Sequence, residues 1–435
     1  MDTKGWDIIY IASADKCNDS LQQNMSKLIT GFDYEVGKVK LQGTFDTWKI
    51  VQGGSDKYVH FEMPIKSGSL DINGNKTDLA GVTPIMSIKL DFVSNPQDAN
   101  TKNLIFSLKK DPPSSKDKDV FTVKVDARDK PTITPKSNPV AWGVMNSTLP
   151  ELFQAHKEEL SYVFAQINLV PPQDASWISP KEIDFAYLDA KGGHFVIFTC
   201  VENKDTSSLP RVPDTSILDT ENDLFVCVSE KMVLQHLIQP GLPDGFGHGA
   251  KASNFEYKAK TDIAGQMEIG KIVNHGNLAT KAAQWAADYY YPEINDLEIT
   301  ISNSDLHVYT GGYFDITGLA GASCSFSVTM NNAFSFDATT QEFTFKKDPN
   351  PSTSHEKHIP WYDWVLVAPF FAGLVALILA LVTNAVTSSV TSSISGSQNT
   401  KLNGGLKKAV SWTGITSTSF DSVELQQAMT LKSKN

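Results

Sequence analysis

The sequence lacks several features that would assign a compartment or a covalent framework directly. It has only four cysteines in 435 residues, and none of them forms a Cys-x-x-Cys pair. The first residues carry no basic stretch followed by a long apolar core, so they do not resemble a secretory signal. We therefore expect synthesis in a reducing cytoplasm, with later release left open. The cysteines are predicted to be buried free thiols: Cys17, Cys200, Cys227 and Cys324.

Catalytic signatures are also absent. The chain has no Gly-x-Ser-x-Gly motif, no Walker loop and no Gly-x-Gly-x-x-Gly that opens a helix. His355 and His358 lie in a proline-bounded segment that is predicted to be a solvated loop and not a metal site. The stretch Asp71–Asn75 begins like a calcium loop but lacks the required glycine and glutamate, so a hairpin turn is predicted. We expect no enzyme, no cofactor and no metal.

Basic residues are too few for general nucleic-acid binding. The chain has 38 Lys and Arg against 49 Asp and Glu, which gives a formal net charge of −11. Binding through phosphates needs clustered Lys and Arg, and docking on anionic lipid has the same requirement. Hydrophobic residues make up 41% and charged residues 20%, which is ordinary for a globular chain long enough for two or more domains.

Alternation of apolar and polar residues predicts many strands with one dry and one wet face. This pattern is typical of antiparallel sheets. Asn73-Gly74 indicates a hairpin turn between two of the strands. The predicted dry faces are Met86, Ile88, Leu90 and Phe92; Leu104, Phe106 and Leu108; Phe121, Val123, Val125 and Ala127; Leu297, Ile299 and Ile301; and Cys324, Phe326, Val328 and Met330.

A few helices are predicted between the strands. An early one places Leu21, Met25, Leu28 and Ile29 on one face. A second begins at the capping box Thr148-x-x-Glu151, with Pro150 in its first turn, and extends to Ile167. A third, alanine-rich helix is predicted over Leu278–Tyr289. The fold class is therefore α+β, with long antiparallel sheets and few, long helices. A proline-containing connector near residue 170 divides the chain into predicted modules 1–170 and 171–435.

The segment Trp364–Gly396 contains no charged residue and no histidine. A helix is predicted over 370–394, apolar on all sides as far as Val382 and one-sided beyond it. Its apolar part is just long enough to cross a bilayer, and a helix of this kind can also be buried in protein. The buried interpretation is favoured because basic flanking residues are sparse and the chain continues into strand-like sequence. We therefore expect no permanent transmembrane span.

The order of several motifs resembles a known family. Thr44–Gly68 contains Trp-x-Ile-x-x-Gly-Gly and then Pro-Ile-x-x-Gly, and similar blocks lie at Gly5–Tyr10, Ser176–Asp189 and Leu224–Phe246. With the C-terminal VSWTGI and SVELQQAMTL, the whole chain resembles the forty-seven-kilodalton proteins encoded beside clostridial neurotoxin genes, and their OrfX relatives. The pattern's structural residues here are Trp48, Gly53, Gly54, Pro64 and Gly68.

This resemblance implies a tubular lipid-binding (TULIP) fold, like that of bactericidal/permeability-increasing protein. Long curved antiparallel sheets would wrap around long helices, in two modules of an elongated molecule, and the C-terminal strand could return to the first module. Apolar grooves in such folds can hold the acyl chains of phospholipids or other lipids. The resemblance also implies a bacterial toxin-associated or insecticidal gene cluster, and it carries over no catalytic residues.

The uncharged helix could line such a groove or simply fill the core, where each large side chain contributes about 1.5–3 kcal/mol. Three functions stay open: a lipid-binding accessory protein or subunit of a toxin complex, a protein-interaction component with a filled core that binds products of the same gene cluster, and a membrane-inserting toxin component that uses residues 365–382. The lipid-groove candidates are Phe370, Phe371, Leu374, Leu377, Ile378, Leu381 and Val386.

Overall fold

The structure is a computed structural model that describes residues 2–108, 118–126, 137–170, 173–246, 249–261, 268–317, 321–359, 364–394, 396–417 and 419–434. Within these ranges, the side chains of residues 126, 173–175, 260–261, 268–269, 364–371, 392–393, 396–398 and 400–401 lie outside the described part. The four cysteines are buried thiols, as the sequence predicts.

The chain divides into two compact units. Unit 1 comprises Met1–Ile8, Val226–Gly404 and Ser419–Lys432, and unit 2 comprises Ile9–Phe225, Gly405–Thr418 and Ser433–Asn435. These bounds differ from the predicted modules 1–170 and 171–435. The reason is strand pairing: Glu182–Leu188 and His194–Cys200 pair with each other inside unit 2, beyond the predicted connector.

Unit 2 is built mainly from antiparallel strands. A seven-stranded sheet has the order β25-β11-β9-β8-β5-β4 with β10 beside β8, and a four-stranded sheet has the order β2-β3-β6-β7. The elements are β1 (Ile8–Ser13), α1 (Ala14–Gln23), β2 (Gly31–Val36), β3 (Val39–Phe45), β4 (Lys49–Ser55), β5 (Tyr58–Glu62), β6 (Ile65–Ile72), β7 (Asn75–Asp78), β8 (Thr83–Asn95), β9 (Asp98–Phe106), β10 (Val120–Asp126), α2 (Pro139–Ala155), β11 (Val163–Asn168), β12 (Glu182–Leu188), β13 (His194–Cys200) and β25 (Val410–Trp412).

The core of unit 2 is an aromatic cluster around Trp48. Its indole lies 6.1 Å from the Phe61 ring and 5.6 Å from the Phe153 ring, between ring centroids. Phe153 lies on α2. The Asn138 side chain caps the start of this helix, where it accepts a hydrogen bond from the Ala141 amide at 3.0 Å. The helix buries Met145, Leu149, Leu152 and Phe153, which share one face at helical spacing. Aromatic packing of this kind stabilises the fold beyond simple area burial.

The strand predictions for unit 2 are confirmed in part. Met86, Ile88 and Leu90 on β8 and Leu104 and Phe106 on β9 are buried, whereas Phe92 and Leu108 are only half-buried.

The predicted dry face of β10 is partly wrong. Phe121 and Val123 are exposed, at 38% and 44%, while Val125 is buried as predicted and Ala127 lies outside the described residues. A register shift between Thr122 and Lys124 breaks the alternation, so that Val120 is buried in place of Phe121.

The predicted helix bounds in unit 2 are also corrected. α1 begins after Ser13 and ends at Gln23, earlier than predicted, because the Ser13 hydroxyl caps it. The predicted helix to Ile167 ends at Ala155, and Pro150 lies inside it because Asn138 and Pro139 start it earlier. Beyond it, the chain forms β11, which pairs with β9 and β25 and so gains ladder bonds on both edges.

Unit 1 also consists mainly of antiparallel strands. An eight-stranded sheet has the order β15-β16-β20-β21-β22-β23, with β17 on β20 and β24 on β22, and β26 forms a hairpin with β27. The elements are β14 (Leu224–Val228, which runs across the unit boundary), α3 (Glu230–Val233), α4 (Leu242–Phe246), β15 (Phe255–Thr261), β16 (Glu268–Asn274), β17 (Leu278–Ala279), β18 (Ala283–Trp285), β19 (Asp288–Tyr290), β20 (Glu293–Ser302), β21 (Asp305–Asp315), β22 (Ser323–Asp337), β23 (Glu342–Phe345), β24 (Ser352–His358), α5 (Trp364–Ser393), α6 (Gly396–Ala409), β26 (Ser422–Gln426) and β27 (Ala428–Ser433).

The strand predictions in unit 1 are confirmed, since the dry faces of β20 and β22 are buried. The helix predicted over Leu278–Tyr289 is wrong: the segment forms β17, β18 and most of β19. Ala286 has a φ of +54°, which makes the tight turn between β18 and β19. The predicted loop at His355 and His358 is the exposed strand β24, which forms because β22 offers it an open edge.

The long apolar helix is present and begins earlier than predicted. α5 starts at Trp364, so Pro369 lies within the helix and not in a first turn near Phe370. Together, the two units confirm an α+β fold of mostly antiparallel sheets with few helices.

Candidate functional site

The helix α5 has two different sides. One side is buried at intervals of four residues, through Leu374, Ile378, Val382, Val386 and Val390. The other side is exposed at the same interval, through Ala372, Ala376, Ala380, Asn384 and Ser388. Four-residue spacing keeps each set on one face of a helix. The stretch Ala372–Thr391 is long and apolar enough to span a membrane, and half of its most apolar window is buried inside the protein.

A groove of about 750 Å³ runs along the exposed side of α5. Its floor is apolar at one end, where Leu377, Ala380 and Leu381 lie, and polar one to three turns further on. The volume lies within the usual range for small-molecule sites. The remaining lining residues are Ala385, Asn384, Ser388 and Thr391 from α5, Asp244, Gly245 and Phe246 from α4, and Lys281.

Close packing of α4 against α5 forms one wall of the groove. A Cβ atom added at Gly245 would lie 1.9 Å from Ser389 Oγ and 2.2 Å from the Ser389 backbone nitrogen. The Ser389 hydroxyl is itself buried and donates to the carbonyl oxygens of Ala385, at 3.0 Å, and Leu242, at 3.3 Å. The missing side chain at residue 245 therefore allows the two helices to approach closely enough to fix this wall.

The β18–β19 hairpin packs on α5 near the apolar end of the groove. A Cβ added at Gly373 would lie 2.3 Å from Cη2 of Trp285, so the indole rests directly on the helix backbone. Gly373 lies one turn before Leu377 on α5. The hairpin therefore lies against the helix close to the apolar floor of the groove.

Charged groups at the groove are few. Asp244 and Lys281 are exposed at its rim, and the Lys347 ammonium donates to Asn384 Oδ1 at 3.4 Å. In the part of the chain that the structure describes, no cluster of three His, Cys, Asp or Glu side chains could hold a metal ion. The groove presents hydroxyl and amide groups at one end and aliphatic carbon at the other.

The structure separates the seven predicted groove residues into three groups. Leu377 and Leu381 line the groove, whereas Leu374, Ile378 and Val386 are buried in the core of unit 1. The side chains of Phe370 and Phe371 lie outside the described residues. The helical spacing of Leu377, Leu381, Asn384 and Ser388 was visible in the sequence, but not which side of the helix faces solvent. The α4 wall is a tertiary contact that no local pattern shows.

The residues of the family pattern have structural roles in unit 2. Trp48 is the centre of the aromatic cluster. The Pro64 carbonyl oxygen accepts a hydrogen bond from the Asp46 amide at 2.7 Å.

The glycines of the pattern meet turn and packing requirements. Gly53 has a φ of +107°, and its amide donates a hydrogen bond to Asp189 Oδ2 at 2.8 Å. At Gly54 and Gly68 the backbone lies against the Tyr187 ring and the β3 backbone, where a side chain would not fit. The pattern is therefore explained by packing and turn geometry.

A buried carboxyl in unit 1 was not predicted. Glu230 is 6% exposed, at the start of α3, and its Oε2 accepts the Gly270 amide at 3.2 Å. Oε1 finds no hydrogen-bond partner among the described residues. Burial raises the pKa of Glu230 to about 7, although the backbone amides of Gly270 and Ile301 act in the opposite direction. In the sequence, Ser229-Glu230 resembles an ordinary helix start with an exposed acid.

Fold and site together define a protein of mostly antiparallel sheets, with a groove along a long uncharged helix. The chain belongs to the OrfX-like family, described as protein OrfX2/OrfX3/P47, whose sequence model matches residues 3–408. This confirms the family resemblance found in the sequence.

Individual relatives show the same relationship. Protein P47 of Clostridium botulinum (strain Kyoto / Type A2) is 28% identical over 82% of this chain and 84% of its own length. Protein OrfX3 of the same strain is 20% identical over 63% of this chain and 62% of its own length. The solved structure of P47 from C. botulinum A2 superposes with a TM-score of 0.84 at 25% identity, covering 100% of this chain and 98% of that one. P47 of C. botulinum E1 gives 0.81 at 22% identity, with full coverage of both chains.

Proposed function

We propose that this chain is a non-enzymatic accessory protein of a bacterial toxin gene cluster that binds an acyl lipid in the groove along α5. The observation that carries the proposal is the change in polarity along the groove floor, from Leu377, Ala380 and Leu381 to Asn384, Ser388 and Thr391. An amphiphile has the same change along its length. The toxin-cluster part rests on membership of the OrfX-like family and on what the sequence resemblance implies.

The apolar end of the groove would hold the acyl chain. Each buried CH₂ contributes about 0.8 kcal/mol, so burial of about ten methylene groups, some of them against Leu377 and Leu381, corresponds to micromolar binding. The hydroxyls and amide at the other end would meet ester or headgroup oxygens. We also propose that the antiparallel sheets curve around the helices, as the sheets of TULIP proteins do.

The same helix is not proposed to leave the protein and span a bilayer. Leu374, Ile378 and Val382 are at most 3% exposed, and extraction of α5 would remove them from the core of unit 1. The core that they leave would lose their packing, at a cost of about 2–5 kcal/mol for each large side chain withdrawn. Partner proteins are proposed to come from the same gene cluster, which agrees with release as an extracellular toxin component.

Replacement of Leu377 and Leu381 by asparagine should weaken lipid binding without unfolding the protein. Both side chains are only half-buried at the groove floor, so the double variant loses apolar contact to the ligand more than to the core. We expect the affinity for a fluorescent fatty acid, measured by titration, to fall by at least about tenfold.

The matched control is Val93→Asn, an apolar side chain of unit 2 that is 40% exposed and distant in sequence from the groove. It should bind the fatty acid as the wild type does, and thermal unfolding should show that both variants are folded. An equal affinity in all three proteins would remove the groove from the proposal.

A further inference from the structure

In the described part of the chain, the aromatic side chains with the largest exposed fractions lie at the β18–β19 hairpin. Tyr289 is 52% exposed and Tyr291 is 68% exposed. The turn between the strands adds two exposed alanines, Ala286 and Ala287. Exposed aromatic and apolar side chains that lie together at one place on a surface are typical of interaction sites.

The two faces of the hairpin have different partners. Ala283 pairs with Tyr290 and Trp285 with Asp288, and of these Ala283 and Tyr290 are buried while the Trp285 indole rests on Gly373. Side chains alternate across a strand, so Tyr289 projects from the opposite face. The hairpin is thus anchored to α5 on one side and presents tyrosine on the other, close to the apolar end of the groove.

Few charged groups lie near these tyrosines in the chain. Lys281 and Asp288 are both exposed on the hairpin segment, and the half-buried Glu293 follows Tyr291 by two residues. The neighbouring exposed residues of α5, Ala372 and Ala376, carry no charge. Because the whole chain has a net charge of −11, an anionic surface would repel it, whereas a zwitterionic surface would not. Tyrosine and tryptophan favour the region between headgroups and hydrocarbon, where one end of the ring is apolar and the other wet.

We infer that the β18–β19 hairpin docks this protein on a neutral, phosphatidylcholine-type membrane surface through Tyr289 and Tyr291, beside the apolar end of the α5 groove. This inference rests on the proposed function of lipid binding in the groove. It adds that the lipid comes from a neutral membrane surface. Docking there would bring the aliphatic end of the groove next to the acyl region of the membrane. It needs no movement of α5 and no basic patch.

The test is flotation of the full chain with phosphatidylcholine vesicles. We expect the wild type to float with the vesicles and the double variant Tyr289→Ser/Tyr291→Ser to show a partition coefficient lower by about tenfold. Binding should change little between about 0.1 M and about 1 M salt, since no net charge drives it. Addition of phosphatidylserine to the vesicles should weaken binding.

The matched control is Val36→Ser/Val93→Ser, which removes exposed apolar side chains of unit 2, 46% and 40% exposed. It should float as the wild type does. Wild-type protein that fails to float, or equal flotation of both double variants, would overturn the inference. So would size-exclusion data showing that the wild type self-associates and the tyrosine variant does not, because the surface would then belong to a second copy.

Failure of this inference can be told apart from failure of the proposed function. The tyrosine variant should still bind the soluble fluorescent fatty acid, because neither tyrosine lines the groove. Fatty-acid binding without flotation would leave the groove in place and remove only the docking surface. Flotation without fatty-acid binding would remove the groove and leave the hairpin as a membrane contact.

Discussion

Replacing Gly245 with alanine is expected to destabilise the protein by about 3 kcal/mol, a large effect for the addition of one methyl group. The added Cβ would lie 1.9 Å from Ser389 Oγ and 2.2 Å from the Ser389 Cα and nitrogen atoms. A side-chain hydroxyl can rotate away, but a helix backbone cannot, so α4 would have to move off α5. Denaturant unfolding followed by circular dichroism measures the effect.

The matched control is Gly143→Ala in α2. Gly143 is also a helical glycine, it is exposed, and a Cβ there meets no atom within 4 Å. Alanine should be neutral or stabilising by about 0.5–1 kcal/mol at such a position. If both substitutions changed stability equally, the close approach of α4 to α5 would be wrong.

The second large effect concerns Glu230, whose replacement by glutamine should stabilise the protein at alkaline pH. The carboxyl has a pKa raised by burial from 4.5 to about 7. Its contribution to the free energy of unfolding is therefore fully present below the pKa that the carboxyl has in the unfolded chain. This contribution is lost as the pH rises through about 7. At about 1.36 kcal/mol per pH unit, the loss is at most about 3 kcal/mol. Glutamine keeps the shape and the acceptor for the Gly270 amide but cannot ionise.

The measurement is the denaturant midpoint of wild type and Glu230→Gln across the pH range. The two proteins should be similar near about pH 4, and the variant should be the more stable near about pH 8. Glu256→Gln, exposed on β15, controls for the loss of one negative charge. Parallel pH curves for wild type and the Glu230 variant would show that the carboxyl is not buried as described.

The sequence was most informative where a residue's local surroundings decide its state. The predicted dry faces of β20 and β22 are buried, and on β8 Met86, Ile88 and Leu90 are buried as predicted. The Asn73-Gly74 turn has φ values of +54° and +82°, which those residue types favour. The ordered motifs of the family can be recognised in the sequence because each of their residues meets a specific packing or turn requirement.

Local pattern was insufficient where a distant partner decides the structure. The segment Leu278–Tyr289 has a helical composition, yet it forms strands because β17 pairs with β20 and the hairpin packs on Gly373. On β10, the register shift that exposes Phe121 depends on pairing with β8. Tertiary pairing overrides intrinsic propensity in both places.

Only part of the candidate site along α5 could be predicted from the sequence. The sequence shows an uncharged helix that keeps only one apolar stripe beyond Val382, and it includes Leu377 and Leu381 among the groove candidates. The sequence could not show that Ile378 faces the core while Ala380 faces the groove, since both belong to an all-apolar run. The wall from α4 depends on the contact between Gly245 and Ser389, two residues far apart in the chain.

The most direct test of the central claim is native mass spectrometry of the protein after incubation with phospholipid, for the wild type and for Ala380→Trp. Ala380 is exposed on the groove floor, so an indole there would fill the groove without disturbing the core. If the lipid site lies along α5, one extractable phospholipid should be found on the wild type and none on the variant. Equal lipid loading of both proteins, or no bound lipid on either, would contradict a lipid site along α5.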